Sequence, residues 1–167
     1  ADIIVAEQGE LLVAPAPVLR HPLPGARISQ RFGENRAYYA RYGSPGGHNG
    51  IDLAVPAGTD VRDWHAKTVV AANSGPAVIV DDPEGYGLYV YIWGNDGYDT
   101  LYAHLAHAFV PADKRVEAGQ PIGWMGYTGN CAPTGIYGTH LHFGVRPRPY
   151  RLDNGTRGYV DPIPLIS

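Results

Sequence analysis

From Gly138 to Arg146 the chain reads G-T-H-L-H-F-G-V-R. Thr139, Leu141, Phe143 and Val145 alternate with His140, His142 and Gly144, the two-residue period of a strand with one apolar face. Side chains two apart on a strand share a face, with Cα atoms about 6.5–7 Å apart. His140 and His142 therefore converge on one spot over an apolar backing. Held side by side, two imidazoles can serve as a metal ligand and a proton-transfer group. Two solvated histidines on an open sheet face give the same pattern, so the stretch fixes a strand before it fixes a chemistry.

The rest of the chain favours short strands joined by tight turns. Its 167 residues make one ordinary domain, large enough for a hydrophobic core, and 22 Gly, 15 Pro and 12 Tyr leave few helix-friendly runs. Strands are expected over 26–33, 67–72, 77–81, 87–93, 98–105 and within 115–127, with Asn95-Asp96-Gly97 as a hairpin turn. The segment 35–42 (N-R-A-Y-Y-A-R-Y) is the one place suited to a turn of helix. Ala1–Pro24 reads as a short strand or two running into a proline-stiffened lead-in, and so as an N-terminal extension to a domain over 25–167.

A net charge of −3 gives no electrostatic reason for a nucleic-acid partner. Arg146, Arg148, Arg151 and Arg157 form one basic cluster, read as a solvated turn region or as a contact for an anionic polymer. The single cysteine, Cys131, excludes an intramolecular disulfide. No run approaches the ~20 apolar residues of a membrane span. The chain opens at Ala1 with no basic-then-apolar leader, as expected of a mature form or an excised fragment. A monomer is expected.

Of seven histidines, His21, His65 and His107 read as packing or surface residues. His48 follows a Gly-Ser-Pro-Gly-Gly loop and lies four residues before Asp52. Fully extended, their Cα atoms would stand about 13 Å apart, and a bend at Asn49-Gly50 would bring the side chains together. With His104, near the end of its strand, and His140 and His142, five groups are available. A catalytic zinc takes three protein ligands from His and Asp/Glu and leaves a position for water. The remaining imidazoles can then act as bases, donors or orienters.

H-N-G-I-D-L-A-V-P-A-G-T-D-V, G-Y-G-L-Y-V-Y-I with T-L-Y-A-H-L, V-E-A-G-Q-P-I-G, G-Y-T-G-N and T-H-L-H-F-G-V-R together resemble, in order, the lysostaphin-type (LytM-like) zinc endopeptidases of bacterial cell walls. The resemblance covers about 24–162. It implies a mainly β domain of antiparallel sheets, sandwich-like or split-barrel-like, with little helix and a substrate groove. It further implies Zn²⁺ held by His48, Asp52 and His142, with His140 and His104 as catalytic histidines. The implied activity is hydrolysis of peptide bonds in peptidoglycan stem peptides or cross-bridges, outside the cytoplasm (secreted, periplasmic or wall-associated) or in a phage-borne lysin. A non-catalytic wall-binding or amidase-regulating module is the alternative on the same fold. His140 is the better candidate for general base, with His104 donating to a developing oxyanion. Glycine-rich bridges and direct D-Ala–diamino acid cross-links are both open as substrates. The 130–138 loop is longer than the family's usual link, and Gly144 stands where an acidic residue is common. Ile136 and Tyr137 are expected to give that loop an apolar wall facing the groove.

Overall fold

The computed structural model describes residues 3–5, 11–13 and 18–167. Strands β1 (Ile3–Val5) and β2 (Leu11–Val13) pair antiparallel as a separate two-stranded sheet, within the stretch read as a strand or two. The other nine are β3 (Arg27–Gln30), β4 (Ile51–Ala54), β5 (Thr68–Val70), β6 (Gly75–Asp82), β7 (Gly87–Trp93), β8 (Tyr98–Ala108), β9 (Arg115–Val116), β10 (Pro121–Met125) and β11 (Leu141–Pro147). They join in one antiparallel sheet of order β3-β4-β11-β8-β7-β6-β9, with β10 branching from β8 to carry β5. The described chain is therefore mainly antiparallel β with little helix, as expected, and these nine strands form one branched, unclosed sheet. Among the described residues the only α-helix is α1 (Arg36–Ala40), within the segment read as helix-capable. No helix there is long and apolar enough to cross a membrane.

The alternation read from the sequence sorts the two faces of the sheet. Ile51 and Leu53 of β4, Leu141, Phe143 and Val145 of β11, Tyr102 and Leu105 of β8, and Val90 and Ile92 of β7 fill the main core. Burying each such side chain stabilises the fold by about 1.5–3 kcal/mol. The opposite face carries Leu101, Ala103 and Tyr159, with Tyr86, Tyr89 and Tyr91 packed on them. At its Tyr86 end, between α1 and the loops after β6 and β10, that face borders a groove. Leu19 and Leu23 are buried in the main core, and Leu19 bridges to Ile166 near the C-terminus.

Candidate metal centre and groove

Asp52 and His142 face each other directly across β4 and β11. Cross-strand partners share a face at Cβ separations of about 4.5–5.5 Å, so sheet register alone brings the carboxylate to the imidazole. His48 precedes β4. Its backbone is pinned to the 33–34 turn, His48 N donating to the Glu34 carbonyl and Gly33 N to the His48 carbonyl, both at 2.8 Å. The chain bends at 49–50, as the dipeptide led us to expect. Gly50 matters there for space rather than for a left-handed turn. A Cβ on it would stand 2.5 Å from the Phe143 carbonyl oxygen and 2.8 Å from Cε1 of His142.

The result is a triangle of buried donor atoms. His48 Nε2 and His142 Nδ1 are 2.9 Å apart, and Asp52 Oδ1 lies 3.1 Å from the first and 3.2 Å from the second. The three residues are 1%, 4% and 8% exposed in the order His48, His142, Asp52. His48 Nδ1 donates to the Arg31 carbonyl at 3.1 Å, which turns the Nε2 lone pair into the triangle. His142 Nε2 is buried without a hydrogen-bond partner. Two imidazole nitrogens and a carboxylate oxygen thus converge out of water, an arrangement that calls for a cation. Ligand atoms on a tetrahedral zinc, about 2.0–2.2 Å from the ion, would lie roughly 3.3 Å apart, so the triangle fits with an opening of a few tenths of an ångström. Burial alone would raise the Asp52 carboxyl, but hydrogen bonds and charge from His142 and His48 outweigh it and hold the group well below the usual carboxylate range. Burial also lowers His142 from its ordinary value, its bond to Asp52 only partly opposing that.

His140 and His104 border this triangle. His140 Nε2 lies 3.7 Å from Asp52 Oδ2, and the His104 and His140 rings are 4.7 Å apart. Each has Nδ1 against a backbone carbonyl, His104 on Thr128 at 2.8 Å and His140 on Gly138 at 2.7 Å. A carbonyl only accepts, so Nδ1 carries the proton and Nε2 of each neutral ring presents a lone pair. Burial, reinforced by charge on His140 and His142, pushes His104 down to about 3.

His104 stands where simple alternation would not put it. With Tyr102 in the core and Ala103 toward the groove, period two returns residue 104 to the core. Instead Val90 pairs with Tyr102 and Leu88 with Leu105, two residues on β7 against three on β8. The extra residue is a bulge, and His104 takes a left-handed φ of 62° there. The bulge turns Ala103 and His104 to the groove and returns Leu105 to the core. β8 then continues to Ala108, beyond the strand end expected near 105.

The other three histidines are elsewhere. His107 is exposed and stacks on Trp124, His65 is exposed, and His21 accepts a bond from Leu23 N. A cavity of about 640 Å³ opens over the triangle. Sequence reasoning missed several of its lining side chains. Tyr39 packs on His48 at 5.0 Å between ring centres, Tyr86 accepts a bond from Asn49 at 2.8 Å, and Arg157 contributes a cation. The tyrosine-rich N-R-A-Y-Y-A-R-Y segment was the available signal for the first wall. On the other wall the 130–138 loop contributes Asn130 and Ala132, and Asn130 donates to Tyr38 and Tyr42 of the facing wall at 3.1 and 3.2 Å. Tyr137 is 85% exposed and neither it nor Ile136 lines the cavity, contrary to the expectation for them. Cys131 is buried near both outer histidines, and burial pushes its thiol up to about 11, so it is neutral at ordinary pH.

Residues 46–162 match the family described as Peptidase family M23. The chain is 35% identical over 140 residues to the DD-carboxypeptidase/endopeptidase Mpg of Neisseria meningitidis serogroup B, a match covering 84% of the chain but 29% of that relative's length. Among solved structures it resembles the catalytic domain of the antimicrobial peptidase lysostaphin from Staphylococcus simulans, with a TM-score of 0.60, 27% identity, and coverage of 85% of this chain and 92% of that one. A zinc-containing peptidase from Vibrio cholerae is also similar, with a TM-score of 0.51 and 26% identity over 96% of this chain and 45% of that one.

Proposed function

The chain belongs to peptidase family M23, and from that premise we propose that it is a zinc-dependent endopeptidase hydrolysing peptide bonds in peptidoglycan. The observation that carries this reading is the buried His48–Asp52–His142 triangle beside two histidines whose Nε2 lone pairs are set by backbone carbonyls. A binding or regulatory module has no use for that second pair. Among bonds we favour the direct cross-link between D-amino acids, because a relative that matches 84% of the chain is named a DD-carboxypeptidase/endopeptidase. Its site of action is accordingly extracytoplasmic.

In this reading His48, Asp52 and His142 hold zinc, which when bound supplies a Lewis acid and lowers the pKa of water toward ~7. His140 Nε2 receives the proton of the attacking water and returns it to the leaving amine. The Gly138 carbonyl holds that ring in the accepting tautomer. His104 is likewise an acceptor at Nε2 while neutral. Donation from it to an oxyanion requires a protonated ring, which its burial opposes. We therefore assign His104 to orienting the water through its lone pair. The groove walls, from Tyr39 and Tyr86 to Asn130, position the peptide and exclude solvent.

The test joins metal analysis to mass spectrometry of muropeptides released from peptidoglycans with direct or glycine-bridged cross-links. We expect one zinc per chain and cleavage of direct cross-links, both lost in His48→Ala. A zinc-loaded protein that releases nothing from either wall would instead be a regulatory or binding module.

A further inference from the structure

The basic cluster near the C-terminus is dispersed by the fold. Arg148 pairs with buried Asp99 at 3.3 Å, Arg151 lies 3.7 Å from Asp153, and Arg146 covers the Tyr150 ring at 4.0 Å. Arg157 alone of the four lines the metal cavity, and it is the cavity's only arginine or lysine. Among the described residues it belongs to no ion pair. The cavity's two carboxylates are already engaged, Asp52 by the histidines and Asp82 by Tyr86 N at 3.0 Å.

The backbone that presents Arg157 is built rather than loose. Asn154 Oδ1 accepts from Thr156 N at 3.0 Å and from Gly158 N at 2.9 Å, one on each side of the arginine. Buried Thr156 and Asn154 both donate to the Tyr159 carbonyl at 2.8 Å, and Gly46 N donates to the Gly155 carbonyl at 2.7 Å. Within this bracket Arg157 takes a left-handed φ of 60°, which costs a non-glycine residue about 1 kcal/mol or more. A cation held in a strained turn at the rim of a groove, facing tyrosines and no partner, is suited to an anion brought by the ligand. The guanidinium fork matches a carboxylate in two parallel hydrogen bonds.

We propose that Arg157 is a specificity-determining residue that binds a free carboxylate of the substrate peptide close to the scissile bond. Its preferred substrates then carry an ionised carboxylate there, and amidated or glycine-only peptides are poor ones. This rests on the peptidase reading for the identity of the peptide. The carboxylate is either the C-terminal α-carboxylate of a stem peptide or the side carboxylate of a diamino acid in the cross-link.

Three synthetic cross-linked peptides separate these sources: one with both carboxylates free, one amidated at the C-terminus, and one amidated at the diamino acid. Binding is read on the zinc-loaded full chain carrying His140→Ala, by calorimetry, so that it does not depend on cleavage. Kinetics on the unaltered active site are read alongside. Arg157→Gln should weaken binding of the free peptide by about tenfold to a hundredfold. It should leave one amidated peptide unaffected, and that peptide identifies the carboxylate. Arg157→Lys should recover part of the loss. Equal losses on all three peptides, no loss on any, or no measurable binding of the free peptide would overturn the proposal. Carboxylate-dependent binding with no cleavage by the unaltered site would instead overturn the peptidase reading and leave the role of Arg157 standing.

Discussion

In the proposed reading, what separates a ligand histidine from a proton-moving one in this groove is whether a ring nitrogen points into the triangle, since His48, His104 and His140 all rest Nδ1 on a backbone carbonyl. Arg31 turns the Nε2 lone pair of His48 into the triangle, whereas Thr128 and Gly138 leave His104 and His140 with lone pairs outside it. Alanine at His140 or His104 should therefore retain most of the zinc while lowering kcat by about 10²-fold or more. Metal analysis and steady-state kinetics on the same preparations check this, and zinc loss as severe as in Asp52→Ala would make the residue a ligand. The buried rings also set a pH response. His104 and His142 lie below the ordinary histidine value in the folded protein, so below pH ~6.5 the unfolded chain binds protons that the native one refuses. Stability of the chelator-treated protein is thus fully present above pH ~6.5 and falls as pH drops toward the folded values. The loss is at most about 1.4 kcal/mol per pH unit for each such ring. Urea unfolding at pH 7.5 and 5 measures it, and equal midpoints would show the rings to be solvated.

Two elements convert that chemistry into a site. The β4–β11 pairing sets Asp52 against His142, and Gly50 lets the His142 ring lie on the backbone just before β4. Gly50→Ala pushes a methyl group against the Phe143 carbonyl and the His142 ring. We expect a destabilisation of about 1–3 kcal/mol and weaker zinc retention in competition with a chromophoric chelator. Unchanged melting temperature and unchanged zinc affinity would mean that β4 and β11 separate easily. The bulge in β8 is the second element. It delivers His104 by adding one residue against β7, which is why a strand pattern of period two could name the residue but not its direction.

At the scale of the whole molecule, the segment before the first strand of the main sheet belongs to the core. Leu19 and Leu23 are 2% and 4% exposed, Val18 N and Leu19 N donate to the Leu165 carbonyl at 3.0 and 2.9 Å, and Ser167 N donates back to Leu19 at 3.1 Å. A domain drawn at 25–167 omits these contacts. A chain shortened to begin at Val18 should keep them. One beginning at Gly25 should lose the burial of two leucines, about 3–6 kcal/mol, and melt well below it. Calorimetry on the two shortened chains compares them directly, and equal melting temperatures would show the 18–24 segment to be dispensable.

Much of this was legible in the residues because it depends on local period. Alternation in G-T-H-L-H-F-G-V-R gave a strand, its two faces and the shared side of His140 and His142. Turn residues such as Asn95-Asp96-Gly97 marked the ends of strands, and the spacing of five groups named a candidate site. The family resemblance, carried by those same motifs, then divided that site into ligands and bases. What period cannot carry is long-range register and whatever lies opposite a side chain. Asp52 meets His142 because β4 pairs with β11 across about ninety residues of chain. His104 faces the groove because two strands differ by one residue between paired positions. Tyr39, Tyr86 and Arg157 reach the cavity from a helix, a turn and a C-terminal bracket, none of which has a repeating pattern. Ile136 and Tyr137 looked like groove lining because they are apolar and adjacent in sequence to the histidines. Only the path of the loop decided that Asn130 and Ala132 take that place while Tyr137 faces water.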